Sequence, residues 1–166
     1  MLIIEAKSSR PIRSTFVSDD ENSITKAINK LYIEPTLQAN NAYENIMKSN
    51  HEAKFGNIRE IYIITVSLEN IPFTREVKQK VDEKLKSSLN NKVKGYCNLN
   101  IEEYELLCSL INNNINAIDI IKNYCEYDDV SSLKNFVKKE YLNLKMQFVN
   151  NIFTKFTDEM IEYLFK

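Results

Sequence analysis

Residues 58–68 read IREIYIITVSL, and the choice of fold class follows from how this run is interpreted. From Ile61 to Val66 nearly every side chain is apolar, and most are β-branched or aromatic, a composition that suits a pleated strand. A strand with one face in water alternates apolar and polar residues. An unbroken apolar run expects cover on both faces, which in practice means a sheet flanked by helices.

The segments on either side fit that reading. Upstream, Leu2–Lys7 (LIIEAK) reads as a strand, and residues 8–22, with Pro11 and the SDDEN cluster, read as a polar loop. Ser23 is placed to cap a helix in which Ile24, Ala27, Ile28 and Leu31 recur at helical spacing. Pro35 cannot donate a backbone hydrogen bond, so it either kinks that helix or starts a second one. The second piece is expected to reach about Lys48, with Ala39, Ala42, Tyr43 and Ile46 on one face. Gly56 marks a turn before the central strand.

Downstream, Thr74–Leu89 has an apolar stripe of Val77, Val81, Leu85 and Leu89, and Val93–Leu99 reads as a further short strand. Strand, helix, strand, helix, strand is the order of an α/β fold, here expected as a small mixed sheet with helical crossovers. From Asn100 the pattern becomes helical. Asn100 and Glu103 have capping-box spacing, and helices are predicted near 101–113, 116–126, 131–143 and 146–165. The chain thus divides into an α/β part, 1–99, and a C-terminal helical extension, 100–166.

Composition narrows the function classes. The chain has 166 residues, 43% of them hydrophobic and 27% charged, with a net charge of −1. Those proportions are ordinary for a globular protein and exclude a polycation held to nucleic acid by bulk charge. Two glycines and three prolines leave little room for an all-β fold. Three cysteines without CxxC spacing suggest small buried residues in a reducing compartment. No apolar stretch is long enough to span a bilayer, so a soluble, cytoplasmic protein is expected. His51 is the single histidine, which excludes a histidine-rich metal site.

The first strand carries the chemistry. Glu5 and Lys7 are two residues apart, so on an extended strand they share a face, while Ile4 and Ala6 share the other. A carboxylate and an ammonium at the end of an apolar strand form either a surface ion pair or a site for metal and phosphate. Arg10 and Arg13 follow and could hold adjacent phosphates.

An apolar strand ending in Glu-x-Lys, then a polar loop, a helix with a Gln and another buried strand resembles the PD-(D/E)XK nuclease superfamily. The resemblance implies a restriction-endonuclease-like half-core, with Glu5 as a ligand to Mg²⁺ and Lys7 positioning or activating the attacking water. It implies DNA or RNA as the partner. Gln38 corresponds to the helical Gln-x-x-x-Tyr element of the family, with Tyr43 one residue beyond the family's spacing. The family carries a further acid, usually Asp, on the strand before Glu-x-Lys; here only Met1 and Leu2 precede the apolar run, and Asp19 and Asp20 are the nearest acids in the following loop. A truncated or degenerate nuclease domain is the expectation. The alternatives are a protein-interaction module and a non-cleaving nucleic-acid binder that uses Lys7, Arg10, Arg13 and the lysine-rich helical segment 75–94. With the Asp-bearing neighbour missing, Leu2–Lys7 becomes a sheet edge, and a homodimer through that edge is expected.

Overall fold

A computed structural model describes residues 1–7, 21–49, 56–68, 74–127 and 131–141. Two compact units divide the chain, Met1–Val130 and Ser131–Lys166. In the first unit, β1 (Leu2–Lys7), β2 (Ile61–Ser67) and β3 (Val93–Asn100) form a sheet of order β1-β2-β3. Both pairings are parallel, so the described sheet is parallel and not mixed. The reason is topological: each strand returns through a helix, and a crossover of that kind brings the next strand back in the same direction.

The first crossover is one helical run with a local widening. It consists of α1 (Glu21–Ile28), a π-helical turn (Asn29–Ile33) and α2 (Glu34–Lys48). Pro35 stands in the first positions of α2, where its missing N–H is tolerated, yet the run is not interrupted, because Ile33 and Glu34 keep right-handed helical angles. Proline removes one rung of the ladder and crowds the preceding turn. The turn widens to accommodate this, with the Glu34 N–H donating five residues back to Asn29 O. The Thr36 hydroxyl then donates to the Tyr32 carbonyl at 2.7 Å. The run begins at Glu21, so Ser23 lies inside α1 and does not cap it. The widening also turns α2 about its axis. Its buried residues are Pro35, Thr36, Ala39, Asn40 and Tyr43, whereas Ala42 and Ile46, expected on this face, are exposed.

The second crossover is α3 (Arg75–Lys86), capped by Thr74, whose hydroxyl accepts from the Val77 N–H at 3.3 Å. It buries Val81 and Leu85 against Ile28, Leu31, Tyr32 and Ile33. The α2 residues Ala39 and Tyr43 pack with Ile61 and Ile63 of β2, joined by Ile3, Val93 and Tyr96. Both crossovers therefore cover the same face of the sheet, as right-handed connections must when the strands advance in one direction.

The opposite face is covered by α4 (Ile101–Asn112) and α5 (Ala117–Glu126), which pack on β3 and β2. Asn100 makes the expected capping box: its side chain accepts from Glu103 N–H at 2.7 Å, and Glu103 Oε2 accepts from Asn100 N–H at 3.1 Å. With helices on both sides, all seven residues of β2 are buried, which is the physical content of the unbroken apolar run. Among the described residues the cover of β1 is one-sided, and Ile4 is 46% exposed.

In the second unit the described residues include α6 (Leu133–Glu140), capped by Ser132, with Leu133, Phe136 and Val137 buried. Phe136 and Tyr141 meet edge to face at a centroid distance of 6.0 Å. The predicted helix at 146–165 lies outside the described residues. Among the described residues no helix is long and apolar enough to cross a membrane.

Candidate functional site at the carboxyl ends of the strands

Parallel pairing aligns three strand ends. Glu5 is paired with Thr65 and Thr65 with Asn98; Lys7 is paired with Ser67 and Ser67 with Asn100. Paired residues in a parallel sheet share a face, so these six polar side chains form a strip across the carboxyl ends of β1, β2 and β3. It lies on the face covered lower down by α2. Crevices outside the carboxyl ends of parallel strands are where ligands of α/β sheets bind.

The strip is charged at one side. Lys7 Nζ lies 3.2 Å from Glu5 Oε1, with the two side chains 28% and 32% exposed. The same ammonium donates to Gln38 Oε1 at 2.5 Å, from a helix 31 residues away in sequence. The strand period brings Glu5 beside Lys7, and the crossover sets Gln38 above them. Three sequence-predicted site residues, Glu5, Lys7 and Gln38, are thus brought together. Tyr43, the other half of the helical element, is not at the site; it is buried in the core with Ile61 and Ile63. Arg10 and Arg13 lie outside the described residues, as do Asp19, Asp20 and His51.

The middle of the strip is neutral. Asn98 Nδ2 donates to Thr65 Oγ1 at 2.9 Å, Thr65 Oγ1 donates to the Cys97 carbonyl at 3.4 Å, and Ser67 Oγ donates to Asn98 Oδ1 at 3.3 Å. Thr65 and Ser67 are buried, and each hydroxyl has a partner, as burial requires. Sequence reading missed these residues because Thr65 and Ser67 sit inside a run read as apolar. The available signal was the return of alternation at both strand ends, Thr65 and Ser67 in β2 and Asn98 and Asn100 in β3.

Beyond β3 the strip ends at Glu103 in the first turn of α4, where a carboxylate is favoured by the helix dipole. Glu103 is 5% exposed, and among the described residues its buried Oε1 has no hydrogen-bond partner. Its charge is felt by two phenols. Burial, and secondly Glu103, pushes Tyr32 well above the usual tyrosine range. Burial, followed by Cys97 and Glu103, does the same to Tyr124.

A magnesium ion takes near-octahedral oxygen ligands, normally with one or two carboxylates among them. Glu5 is the carboxylate described on the strip beside Lys7, and its oxygen already faces an ammonium at 3.2 Å. Its other neighbours, Gln38, Thr65 and Ser67, are neutral. Among the described residues no three His, Cys, Asp or Glu side chains converge. The described donor set does not fit Mg²⁺, and no step through a metal is assigned to it. No family model matches the chain, and neither a curated protein nor a solved structure matches it.

Proposed function

We propose that this chain is a degenerate PD-(D/E)XK-like domain that holds a phosphodiester of DNA or RNA at Lys7 without cutting it. The reading rests on the resemblance in the first strand, and the observation that carries it is the Lys7 ammonium held between Glu5 and Gln38. An ammonium has three N–H donors. Among the described residues two are directed to Glu5 and Gln38, and the proposal gives the third to a phosphate oxygen. Mg²⁺-dependent hydrolysis is the ancestral chemistry in this reading, and the described carboxylate alone does not sustain it.

Glu5 decides between a binder and a nuclease. In a binder, Glu5 repels the phosphate that Lys7 attracts. Two unit charges about 4 Å apart interact by about 1 kcal/mol in water, roughly a fivefold change in affinity. Anisotropy of short labelled DNA and RNA therefore tests the proposal. Glu5→Gln should tighten binding about fivefold, and Lys7→Ala should weaken it and lower the salt slope by about one. Neither Mg²⁺ nor Mn²⁺ should bring cleavage. Weaker binding by Glu5→Gln, or metal-dependent cleavage lost in that variant, would overturn the proposal.

A second reading, a protein-interaction module, is favoured by β1 itself. In the described sheet β1 pairs only with β2, and Ile4 and Ala6 are exposed on the side that α4 and α5 leave open. A second copy of the chain is the simplest partner for such an edge.

A further inference from the structure

The cysteines were expected as small core residues, and two of them lie near one another. Gly95 and Cys97 are two residues apart on β3 and share the face covered by α5. A Cβ built on Gly95 would lie 2.7 Å from Cys125 Cβ and 2.9 Å from Cys125 Sγ. Gly95 therefore lets α5 approach β3 more closely than a side-chain-bearing residue would, and it sets the Cys125 sulfur over the strand beside Cys97. Cys125 is near enough to Cys97 to raise its thiol above the ordinary range. As residues both are half-buried, and access of a small oxidant to the pair is part of what the experiment below reads. Cys108 lies on α4 beside Tyr104, one helical turn earlier, and is not part of the pair.

We propose that Cys97 and Cys125 are an oxidisable pair, converted by a small-molecule disulfide such as glutathione disulfide into an internal disulfide that ties α5 to β3. Cys125 beside it, and then burial, push the Cys97 thiol up. Cys125, whose sulfur lies over Gly95, is the first nucleophile. Its thiolate attacks one sulfur of the oxidant, the oxidant's S–S bond breaks, and one glutathione thiolate leaves. Cys97 then gives its proton to solvent and attacks the Cys125 sulfur of the mixed disulfide. That bond breaks, and the second glutathione thiolate leaves. Two electrons pass from the cysteines to the oxidant, and the two departing thiolates take up the two protons lost.

The test uses the full chain, oxidised with glutathione disulfide, alkylated and mapped by mass spectrometry. Expected are one cross-linked peptide pair joining Cys97 to Cys125, an alkylated Cys108, and complete reversal by dithiothreitol. Cys97→Ser should stop at a single glutathione adduct on Cys125, and Cys108→Ser should cross-link as the wild type does. Gly95→Ala, which pushes α5 off β3, should slow cross-linking several-fold. Circular dichroism establishes that each variant is folded, and the wild-type map decides the matter even where one is not. Stable glutathione adducts on both Cys97 and Cys125, a cross-link through Cys108, or alkylation of all three thiols after oxidation would each overturn the proposal.

Discussion

Replacing Gly95 by alanine tests the packing of the sheet's second face at one atom. The new Cβ would stand 2.7 Å from Cys125 Cβ, 2.9 Å from its Sγ and 3.2 Å from Tyr62 Cδ1. Carbon atoms in contact prefer about 3.5–4.0 Å, so α5 and β3 must part by about 1 Å. Neither yields easily: β3 is hydrogen-bonded along β2, and α5 is anchored by fully buried Ile120 and Ile121. Overpacking of this kind costs about 1–3 kcal/mol. Alanine returns roughly 0.5–1 kcal/mol by reducing the freedom of the unfolded chain. The net expectation is a loss of about 1–2 kcal/mol, or roughly 2–8 °C in Tm for a chain of this size. Urea and thermal unfolding followed by circular dichroism measure it. Because the nearest atom is a Cβ, Cys125→Ala should not relieve the strain, whereas Cys125→Gly should, read as a coupling in a double-mutant cycle. A neutral or stabilising Gly95→Ala would show that α5 does not lie on β3 at this point.

Asn100→Ala removes the side-chain half of the capping box on α4 and should cost about 1 kcal/mol, seen as a lower urea midpoint with an unchanged slope. Alkaline pH should destabilise the fold. Tyr32, Tyr96 and Tyr124 are all held above the ordinary tyrosine value of 10.0, chiefly by burial, and in Tyr96 also by its hydrogen bond to Asp82. Above about pH 10 the unfolded chain therefore releases protons that the folded chain keeps, and stability falls by up to about 1.4 kcal/mol per pH unit for each phenol. Below that range these groups leave stability unchanged, so urea midpoints on either side of about pH 10 check the sign. Light scattering coupled to size exclusion should report about twice the chain mass of 19.4 kDa, and Ile4→Lys on the open edge should return a monomer. A monomeric wild type refutes pairing through β1.

What the sequence displayed depended on how local each signal was. The capping box at Asn100 was legible because its two partners are three residues apart and need nothing else. The central strand was legible because burial on both faces leaves a continuous apolar run, and Ile61–Ser67 is buried throughout. The response to Pro35 was not. A missing N–H says that a rung is lost, but whether the helix breaks, kinks or widens depends on what the neighbouring side chains bury. Here Leu31, Tyr32 and Ile33 all reach the core through the widened turn. The strip was legible only on β1, where two charges interrupt an apolar strand. Thr65 and Asn98 become partners through a parallel register with an irregularity between Ile61 and Tyr62. No local pattern predicts that offset. The meeting of Cys97 and Cys125 depends in the same way on a glycine in one element and a helix from another.

Burial across the strip explains why its chemistry is arranged as it is. At β1, where one face of the strand is open, Glu5 and Lys7 keep about a third of their side-chain surface in water. An ion pair this exposed contributes under about 1 kcal/mol, so the fold does not depend on it and the charges remain available to a ligand. At β2 both faces are covered, Thr65 is 2% exposed, and only neutral groups with their partners in place are tolerated. Beyond β3 a carboxylate is buried again, and the α4 N-terminus and the Asn100 N–H stabilise one of its oxygens. If the proposed phosphate binding holds, an anion approaching the carboxyl ends would meet Lys7 at the half-exposed side and be opposed by Glu103 at the buried side, with Gln38 accepting from the Lys7 ammonium.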